Sequence, residues 1–459
     1  MSQVKLFSSS GGARVAKRSG RQKKQKVKKP LKTLAIWLLV ILCLEGLYFF
    51  CIYTNNSFVK KWRTIYINTA MDTMRHQWLA TYFIPKDVID EVRYEYGLVK
   101  AGTVGKESTW GRTDPAPADQ TPSTSNDNIV TLDPNVTHET DQPDAEELTQ
   151  EELEKQAEEN FYSVFWELDR TSMETYLAEH PDTLANGWEH IYINEAGFDD
   201  EGTSIQSTFG EQVLAIDAYN GVLLLRISGK GYRGVLAVGK DPSRLSIEMA
   251  TTLGTAGQLS GTIAEAHNGV LAMNANGFLD PNGAGNGGLL AGYTMSNGKA
   301  YGDHFSAYAY KRIELHEDDL FYIKDALSPV SEDCTDAAEF TPALIVDGKK
   351  IMDDYWTGEQ PRACIGQSEK YEILMLVIEG RYPLEGILGT SVNNCSEILL
   401  QHKCMQAINL DGGSSAMLWF DGEYVTQSSS SPLRYTGGRP LPNAWVYNCL
   451  LYTSPSPRD

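Results

Sequence analysis

An apolar run near the N-terminus constrains this chain more than any other feature. Residues Leu31–Tyr53, LKTLAIWLLVILCLEGLYFFCIY, hold about 21 nearly uninterrupted apolar positions, and a helix of that length crosses the core of a bilayer. Residues 1–32 contain 11 Lys or Arg and no Asp or Glu, so the N-terminus should stay cytoplasmic and the rest of the chain should lie outside. A cleaved signal peptide is the alternative, but no small-x-small cleavage site follows the run.

The rest of the chain is strongly acidic. Beyond residue 32 it holds 29 basic and 60 acidic residues, which argues against a nucleic-acid partner because such binding depends on neutralising phosphates. Residues 101–150 combine five prolines with ten acidic and two basic residues, and this composition cannot bury enough apolar surface to become ordered. Five cysteines lie beyond the apolar run without CxxC spacing, so we expect buried free thiols rather than a zinc site or disulfides.

These features divide the chain into seven segments. The expected segments are a basic cytoplasmic tail (1–30), a transmembrane helix (31–53), a juxtamembrane helical stalk (54–100), a flexible acidic and Pro-rich linker (101–143), a helical lead-in (144–186), a globular domain (187–451) and a non-native tail (452–459). The last segment looks out of register with a domain that is complete near Leu451, so we interpret it as an artefact of sequence assembly.

The globular part is rich in strand and turn signals. Asn297–Gly298, Asp347–Gly348 and Asp421–Gly422 each separate short apolar runs, which predicts β-hairpins. The continuous apolar run Tyr371–Gly380 predicts a strand that is covered on both faces, and Ser391–Lys403 predicts a helix before the next strand. We therefore predict an α+β domain built on a mixed β-sheet with several hairpins.

One short stretch combines an apolar strand with groups that could bind a ligand. In INLDGGSSAM, Asp411 follows the apolar residues and precedes Gly412, Gly413, Ser414 and Ser415. Glycine has no Cβ, so the backbone can approach a ligand closely, and successive N–H groups can form a nest for an anion. The spacing and the Lys of a phosphate-binding Walker loop are missing. A glycine-rich strand connection without a ligand remains the structural alternative.

Other polar side chains also stand where a strand ends or a turn begins. They are Asn274, Asn276, Asp280, Asn282, Arg362, Glu379, Arg381, Arg439 and Asn443. Strand ends that are bordered by loops are common positions for ligand sites. A surface salt bridge explains each arginine better than a ligand site does when that arginine is taken singly.

Five segments, in this order, resemble the phosphodiester glycosidase family. The segments are MNANGF, PRACIGQ, LMLVIEGR, AINLDGGSSAM and GGRPLPNAW. The resemblance covers residues 187–450, and bacterial members of the family are often labelled exopolysaccharide proteins. Two positions depart from the family pattern. Family members commonly have Arg-Thr where this chain has Arg362–Ala363, and Asp-Gly-Arg where it has Glu379–Gly380–Arg381.

The resemblance implies cleavage of a sugar–O–phosphate bond at the anomeric carbon. The leaving phosphate is already acidic, so the site must chiefly hold its charge and stabilise an oxocarbenium-like sugar. Arg362, Arg381 and Arg439 are the candidates for gripping phosphate, because a guanidinium donates two parallel hydrogen bonds. Asp411 is the first and Glu379 the second candidate for the nucleophile or base. The remaining candidate substrate-binding residues are Gly412, Gly413, Ser414, Ser415, Asn274 and Asn443.

The resulting hypothesis is a single-pass bacterial membrane protein whose outward domain hydrolyses a glycosyl-1-phosphodiester of an envelope polysaccharide or glycan, without a cofactor. One alternative is a non-catalytic module that binds cell-surface polysaccharide during assembly. A second alternative is metal-assisted hydrolysis of the P–O bond. Asp280, Asp303 and Asp411 could ligate a hard cation, but their spacing is not diagnostic, so metal dependence stays open.

Overall fold

The computed structural model describes residues 29–73, 76–109, 149–197, 200–281, 284–306, 309–351, 358–430, 433–434 and 436–449. The basic tail up to residue 28, the expected linker beyond Thr109, the expected non-native tail and Asn282 lie outside these ranges. The chain separates into two compact units, Met1–Val59 and Lys60–Asp459.

The N-terminal unit contains helix α1, Lys29–Tyr53. Its stretch Thr33–Tyr53 has 21 residues and a mean hydropathy of 2.4, so it could cross a membrane by length and composition. A signal sequence meets the same criteria. The helix was predicted from the apolar run, and its existence is confirmed.

Seven further helices are present in the described part of the chain. They are α2 (Ser57–Met71), α3 (Trp78–Thr81), α4 (Lys86–Ala101), α5 (Gln150–Val164), α6 (Arg170–Glu179), α7 (Ser260–Ala266) and α8 (Val392–Gln401). The expected helical lead-in contains the two helices α5 and α6. Asp169 separates them and caps the second, because its side chain accepts a hydrogen bond from the backbone N–H of Ser172 at 2.8 Å.

The strands are numbered in chain order. They are β1 (Tyr192–Asn194), β2 (Gln212–Asp217), β3 (Val222–Gly229), β4 (Tyr232–Gly239), β5 (Leu245–Met249), β6 (Gly269–Asn274), β7 (Gly277–Phe278), β8 (Leu290–Ala291), β9 (Thr294–Ser296), β10 (Lys299–Tyr301), β11 (Lys311–His316), β12 (Phe321–Asp325), β13 (Cys334–Phe340), β14 (Ala343–Val346), β15 (Lys349–Lys350), β16 (Arg362–Ser368), β17 (Ile373–Ile378), β18 (Cys404–Asn409), β19 (Leu418–Phe420), β20 (Glu423–Tyr424) and β21 (Asn443–Asn448).

These strands form three sheets of five or more strands. Within the described residues, a nine-stranded sheet has the order β1-β2-β3-β4-β17-β16-β18-β14-β15, and two five-stranded sheets have the orders β10-β9-β13-β11-β12 and β20-β19-β6-β21-β5. Strands β7 and β8 form a separate ribbon. The prediction of an α+β domain with several hairpins is confirmed. Every pair of neighbouring strands in the nine-stranded sheet is antiparallel. The domain therefore combines helices with antiparallel sheets, and this sheet does not mix parallel and antiparallel strands.

Local turn chemistry explains the hairpins. Asn297–Gly298 joins β9 to β10, Asp347–Gly348 joins β14 to β15, and Asp421–Gly422 joins β19 to β20. Both residues of each turn have positive φ, for example 50° at Asn297 and 73° at Gly298. This geometry matches the right-handed twist of the paired strands, and Asn, Asp and Gly adopt it most readily. All three predicted hairpins are confirmed.

The core of the large sheet lies around β17. All six of its residues are buried, and it pairs with β4 on one side and β16 on the other. Helix α8 follows, capped by the Ser391 hydroxyl, which accepts from the N–H of Asn394 at 3.2 Å, and leads into β18. The predicted strand and helix are both confirmed. Of the five thiols expected to be buried and free, four are buried, while Cys449 is half-buried.

The residues after α4 differ from the expected linker. The backbone N–H of Ser108 donates to the carbonyl oxygen of Ile323 in β12 at 2.9 Å, and its hydroxyl accepts from the N–H of the same residue at 2.6 Å. Thr109 N–H donates to the carboxylate of Asp347 at 2.9 Å. Residues 102–109, called the anchor segment below, are therefore hydrogen-bonded to a strand and a hairpin turn of the domain. The average composition of residues 101–150 does not reveal that residues 102–109 pack against the domain.

Candidate functional site

The strand order brings three sequence-predicted residues together at one end of the central strands β16, β17 and β18. Strand β16 runs antiparallel to both β17 and β18, so its first residue, Arg362, lies opposite Ile378 at the end of β17. The N–H of Leu410, just beyond β18, donates to the carbonyl oxygen of Ala363 at 2.8 Å. The segments that carry Arg381 and Asp411 therefore both leave the sheet beside Arg362.

A cavity of about 770 Å³ opens at this end of the sheet. A volume of this size is typical of small-molecule sites. The polar and aromatic side chains and glycines that line it include Asp72, Arg93, Lys100, Phe278, Asp280, Tyr310, Phe340, Gln360, Arg362, Arg381, Asp411, Gly412, Gly413, Ser414, Ser415 and Arg439. The sequence-predicted cluster thus converges on one cavity, and helices α2 and α4 contribute a wall that the sequence did not predict.

Asp411 projects from the loop that follows β18. Its backbone carbonyl accepts a hydrogen bond from the Asn274 side-chain amide at 2.8 Å, which ties the loop to the end of β6. Burial raises the pKa of the Asp411 carboxyl above its ordinary value. A hydrogen bond from Ser415 and the charge of Arg439 lower this pKa, and the charge of Asp280 raises it. Burial outweighs these partners, so the carboxylate is a destabilised anion.

The two glycines after Asp411 allow the backbone to pack closely against both arginine segments. A Cβ on Gly412 would lie 2.5 Å from the carbonyl oxygen of Pro361, and one on Gly413 would lie 3.0 Å from Nη1 of Arg381. Gly413 also has a φ of 63°, which favours glycine. The N–H of Gly413 donates to Pro361 at 3.2 Å, so it is already used and does not form the expected anion nest.

Arg381 stands in an unusual backbone conformation. Its φ of 65° is uncommon for a residue with a Cβ, and such strain collects at functional sites. Burial lowers the pKa of its guanidinium, the charge of Arg362 lowers it further, and the charge of Asp411 opposes them. Two cations that face each other beside a single carboxylate form a site that favours an anion.

Two backbone carbonyl oxygens hold the guanidinium of Arg362. Its Nε donates to the carbonyl oxygen of Thr390 at 3.1 Å and its Nη2 to that of Gly358 at 2.7 Å. Both partners are neutral, so no described carboxylate pairs with this guanidinium. The side chain is only 8% exposed, and a buried cation without a counter-ion is costly unless a ligand supplies the charge.

Arg439 is held differently. Its Nη1 pairs with the Asp280 carboxylate at 2.5 Å, and its Nη2 donates to the carbonyl oxygen of Gly285 at 3.0 Å. The guanidinium also lies 4.5 Å from the ring centroid of Phe278. Arg439 lines the cavity, but its charge is already neutralised by Asp280.

Glu379 does not line the cavity. Its Oε2 accepts from Nε of Arg233 at 2.7 Å, and its Oε1 accepts from the N–H of Gln427 at 2.9 Å. Strand alternation would place residues 379 and 381 on one face, but the left-handed backbone at Arg381 breaks that alternation. The structure therefore separates the two candidate carboxylates instead of pairing them on one substrate.

The two candidate asparagines are also buried away from the cavity. Asn274 holds the Asp411 backbone, as described above. Asn443 donates to the side-chain oxygen of Asn276 at 3.1 Å and to Thr294 at 3.2 Å, and it accepts from the N–H of Asn276 at 3.0 Å. Both side chains are fully buried at the ends of β6 and β21, and neither lines the cavity.

The three aspartates proposed as metal ligands do not come together. Asp280 pairs with Arg439, and Asp303 is exposed and lies outside the cavity lining. Among the described residues there is no group of three or more His, Cys, Asp or Glu side chains arranged to hold a metal ion.

Tyr310 and Lys100 are among the cavity residues that were not predicted from the sequence. Tyr310 lines the cavity, and burial together with the Asp411 charge raises the pKa of its hydroxyl. Lys100 reaches the same cavity from α4. Neither belongs to a recognisable motif, and Lys100 is more than 250 residues from Arg362 in sequence, so no local signal could have identified them.

Comparison with known proteins agrees with the motifs. Residues 267–447 match the phosphodiester glycosidase family, which confirms the resemblance stated above. This span contains Arg362, Arg381, Asp411 and Arg439 and excludes Lys100. No curated protein matches the chain.

Solved structures show a distant similarity. The catalytic domain of zebrafish N-acetylglucosamine-1-phosphodiester alpha-N-acetylglucosaminidase, auto-inhibited by its pro-peptide, is 14% identical with a TM-score of 0.40, and the match covers 50% of this chain and 82% of that one. A hypothetical protein from Synechocystis is 15% identical with a TM-score of 0.35, and the match covers 53% of this chain and 65% of that one.

Proposed function

We propose, from the phosphodiester glycosidase match of residues 267–447, that this cavity hydrolyses a sugar–phosphodiester at its anomeric carbon. The observation that carries the proposal is the convergence of Asp411 with Arg362 and Arg381 on one cavity. A carboxylate beside two arginines suits a substrate that joins an electrophilic carbon to an anionic leaving group.

Arg362 and Arg381 are the proposed phosphate ligands. Neither guanidinium is paired with a carboxylate in the described residues, whereas Arg439 is. A phosphate diester would supply the missing negative charge and accept hydrogen bonds from both guanidinium groups. Arg439 then has a positioning role, because its ion pair holds the Asp280 loop beside Asp411.

Asp411 is the proposed catalytic carboxylate, acting as the nucleophile at the anomeric carbon or as the base for water. Its raised pKa reflects a carboxylate that is poorly solvated, and such an anion gains stabilisation when positive charge develops on the sugar. The phosphate can leave without protonation, so a second carboxylate within reach is not required for the first bond cleavage. Glu379 is assigned a positioning role through Arg233 and Gln427.

The proposed setting is the cell envelope. Helix α1 would anchor the chain with the basic tail in the cytoplasm, and the domain would face an envelope polysaccharide or glycan. Protease added to intact spheroplasts should degrade the domain and leave the N-terminal tail protected. Resistance of the domain until the membrane is lysed would contradict this orientation.

The activity is tested on the whole chain in detergent. We expect release of free sugar from at least one member of a panel of synthetic sugar-1-phosphodiesters and UDP-sugars. Reaction in isotopically labelled water should place the label in the sugar, since the C–O bond breaks. Label in the phosphate would instead indicate attack at phosphorus. Saturable binding of the panel without any turnover would favour a polysaccharide-binding module.

A further inference from the structure

We propose that α4 forms part of the active site and that Lys100 binds the phosphate of the substrate together with Arg362 and Arg381. This inference rests on the proposed function, and it adds a substrate-binding residue from outside the family-matched region. Three observations support it: the anchoring of α4, the contact of α2 with the Arg362 loop, and the open ammonium group of Lys100.

The anchor segment fixes α4 to the domain. Besides the hydrogen bonds of Ser108 and Thr109, the N–H of Gly105 donates to the Asp325 carboxylate at 2.8 Å. The carboxylate of Glu107 accepts from the N–H of Asp325 at 2.9 Å. These bonds join the chain just after α4 to strand β12 and its neighbours. Hydrogen bonds between backbone N–H groups and side-chain carboxylates thus attach the wall of the cavity to the domain.

Helix α2 contacts the loop that orients Arg362. The Thr69 hydroxyl accepts from the N–H of Glu359 at 3.1 Å, and a Cβ on Gly358 would lie 2.4 Å from Cα of Thr69. Gly358 is also the residue whose carbonyl oxygen accepts from Arg362. Helix α2 and Arg362 therefore both contact the same closely packed loop.

Lys100 presents an ammonium group to this cavity. The group lies 4.4 Å from the ring centroid of Tyr96, and it forms no hydrogen bond or ion pair with a described residue. Arg93, about two turns away on the same helix, is already paired with Asp72 at 2.6 Å. Lys100 thus adds an unpaired positive charge to those of Arg362 and Arg381, and all three line one cavity.

The charges around Lys100 show how strongly the site needs an anion. The pKa of its ammonium is lowered to about 8, chiefly by burial; the charge of Asp72 opposes this shift, and the charges of Arg93 and Arg362 add to it. A phosphate at this position would relieve the desolvation and the repulsion at once. Phosphate binding should therefore weaken as the pH rises above 8 and Lys100 loses its proton.

The first test measures binding of inorganic phosphate by calorimetry to the whole chain in detergent at pH 7. We expect Lys100→Met to raise the Kd by about tenfold or more, since a charge-assisted hydrogen bond contributes that much. Lys86→Met is the matched control, because Lys86 lies at the exposed start of the same helix. Lys100→Arg should retain affinity and, unlike the wild type, keep it at pH 9.

The second test uses a sugar-1-phosphodiester that the wild-type protein hydrolyses. Lys100→Met should raise KM by about tenfold and change kcat less, because the lysine binds the phosphate in both the ground state and the transition state. Its melting temperature should not fall, since the substitution removes an unpaired, half-buried charge. A lower melting temperature with unchanged KM would identify a structural lysine and overturn the inference.

The outcomes separate this inference from the proposed function. If no phosphodiester is hydrolysed but phosphate affinity depends on Lys100, the proposed function fails while the anion site stands. If hydrolysis occurs and Lys100→Met changes neither phosphate affinity nor KM, the inference fails and the proposed function stands. Faster turnover in Lys100→Met would show that the wall obstructs the site, and it would also overturn the inference.

Discussion

At the scale of single residues, Asp411 has the most direct role in the proposed reaction. Asp411→Asn keeps the shape of the side chain and removes the charge. We expect the turnover number to fall on the order of a hundredfold or more, as for other groups that meet the transition state directly. Single-turnover and steady-state rates on a sugar-1-phosphodiester would measure this loss.

The matched control for that substitution is Asp303→Asn. Asp303 is exposed and lies outside the cavity, so this variant should keep full activity. Full activity in folded Asp411→Asn would remove Asp411 from the mechanism, and it would indicate that the aspartate only supports the turn, where Asn substitutes well.

The same substitution should stabilise the protein at neutral pH. The pKa of Asp411 is higher in the folded than in the unfolded state. The free energy of unfolding is therefore highest below the unfolded-state pKa, where Asp411 is protonated in both states, and it decreases as the pH rises through the folded-state pKa. An uncharged asparagine side chain at this position would carry no such cost. We expect Asp411→Asn to melt above the wild type at pH 7, with a difference that shrinks as the pH is lowered towards 4. Equal melting curves at every pH would contradict the raised pKa.

The sequence predicted the residues of this site unevenly, for a physical reason. Asp411, Arg362 and Arg381 follow or begin strands that pair directly, so motif order along the chain was enough to bring them together. Asn443 begins a strand in the same way, yet its amide is satisfied inside the core. Whether such a group faces a cavity or a neighbour depends on sheet packing, which no local pattern reports.

At the scale of elements, the glycine loop after β18 sets the position of Arg381. Gly413→Ala would place a methyl group 3.0 Å from Nη1 of Arg381 and would strain a left-handed backbone. Such a contact would move the guanidinium by a few tenths of an ångström, so we expect kcat/KM to fall by roughly tenfold, because catalysis depends on sub-ångström positioning of the groups that hold the substrate.

Gly422→Ala separates these two effects. Gly422 has a φ of 95°, and a Cβ there would meet nothing within 4 Å, so this variant carries backbone strain without displacing an arginine. It should lose about 1–2 kcal/mol of stability and keep its activity. If the two variants lost activity equally, the Arg381 contact would not explain the loss.

Elements were more predictable than their assembly. The three hairpins follow from two-residue turn signals, and β17 follows from one apolar run, because each depends on neighbours in sequence. The break between α5 and α6 depends on one capping aspartate inside a helical pattern, and the predicted lead-in gave no position for it. The placement of α2 and α4 depends on contacts with Ile323, Asp347 and Glu359, more than 200 residues away.

At the scale of the whole molecule, the structure divides the chain differently from its composition. Composition separates a stalk, a linker and a domain, whereas the hydrogen bonds make α2, α4 and the anchor segment part of the domain. The domain that performs the proposed reaction should therefore begin near residue 56 and not near residue 187. Asn56 is a natural start, since its side chain accepts from the N–H of Phe58 at 3.1 Å at the beginning of α2.

Two truncations test this division. A chain that begins at Asn55 loses α1 and keeps α2 to the anchor segment, and it should match the melting temperature and activity of the whole chain. A chain that begins at Thr149 also loses the wall and leaves the N–H of Ile323 and Asp325 without their partners. Each such backbone bond contributes about 1 kcal/mol, so melting should fall by several degrees, roughly 2–4 °C per kcal/mol, and phosphate affinity should fall with it. Identical melting temperature and phosphate affinity in both truncations would show that α2 and α4 form a stalk and are not part of the domain.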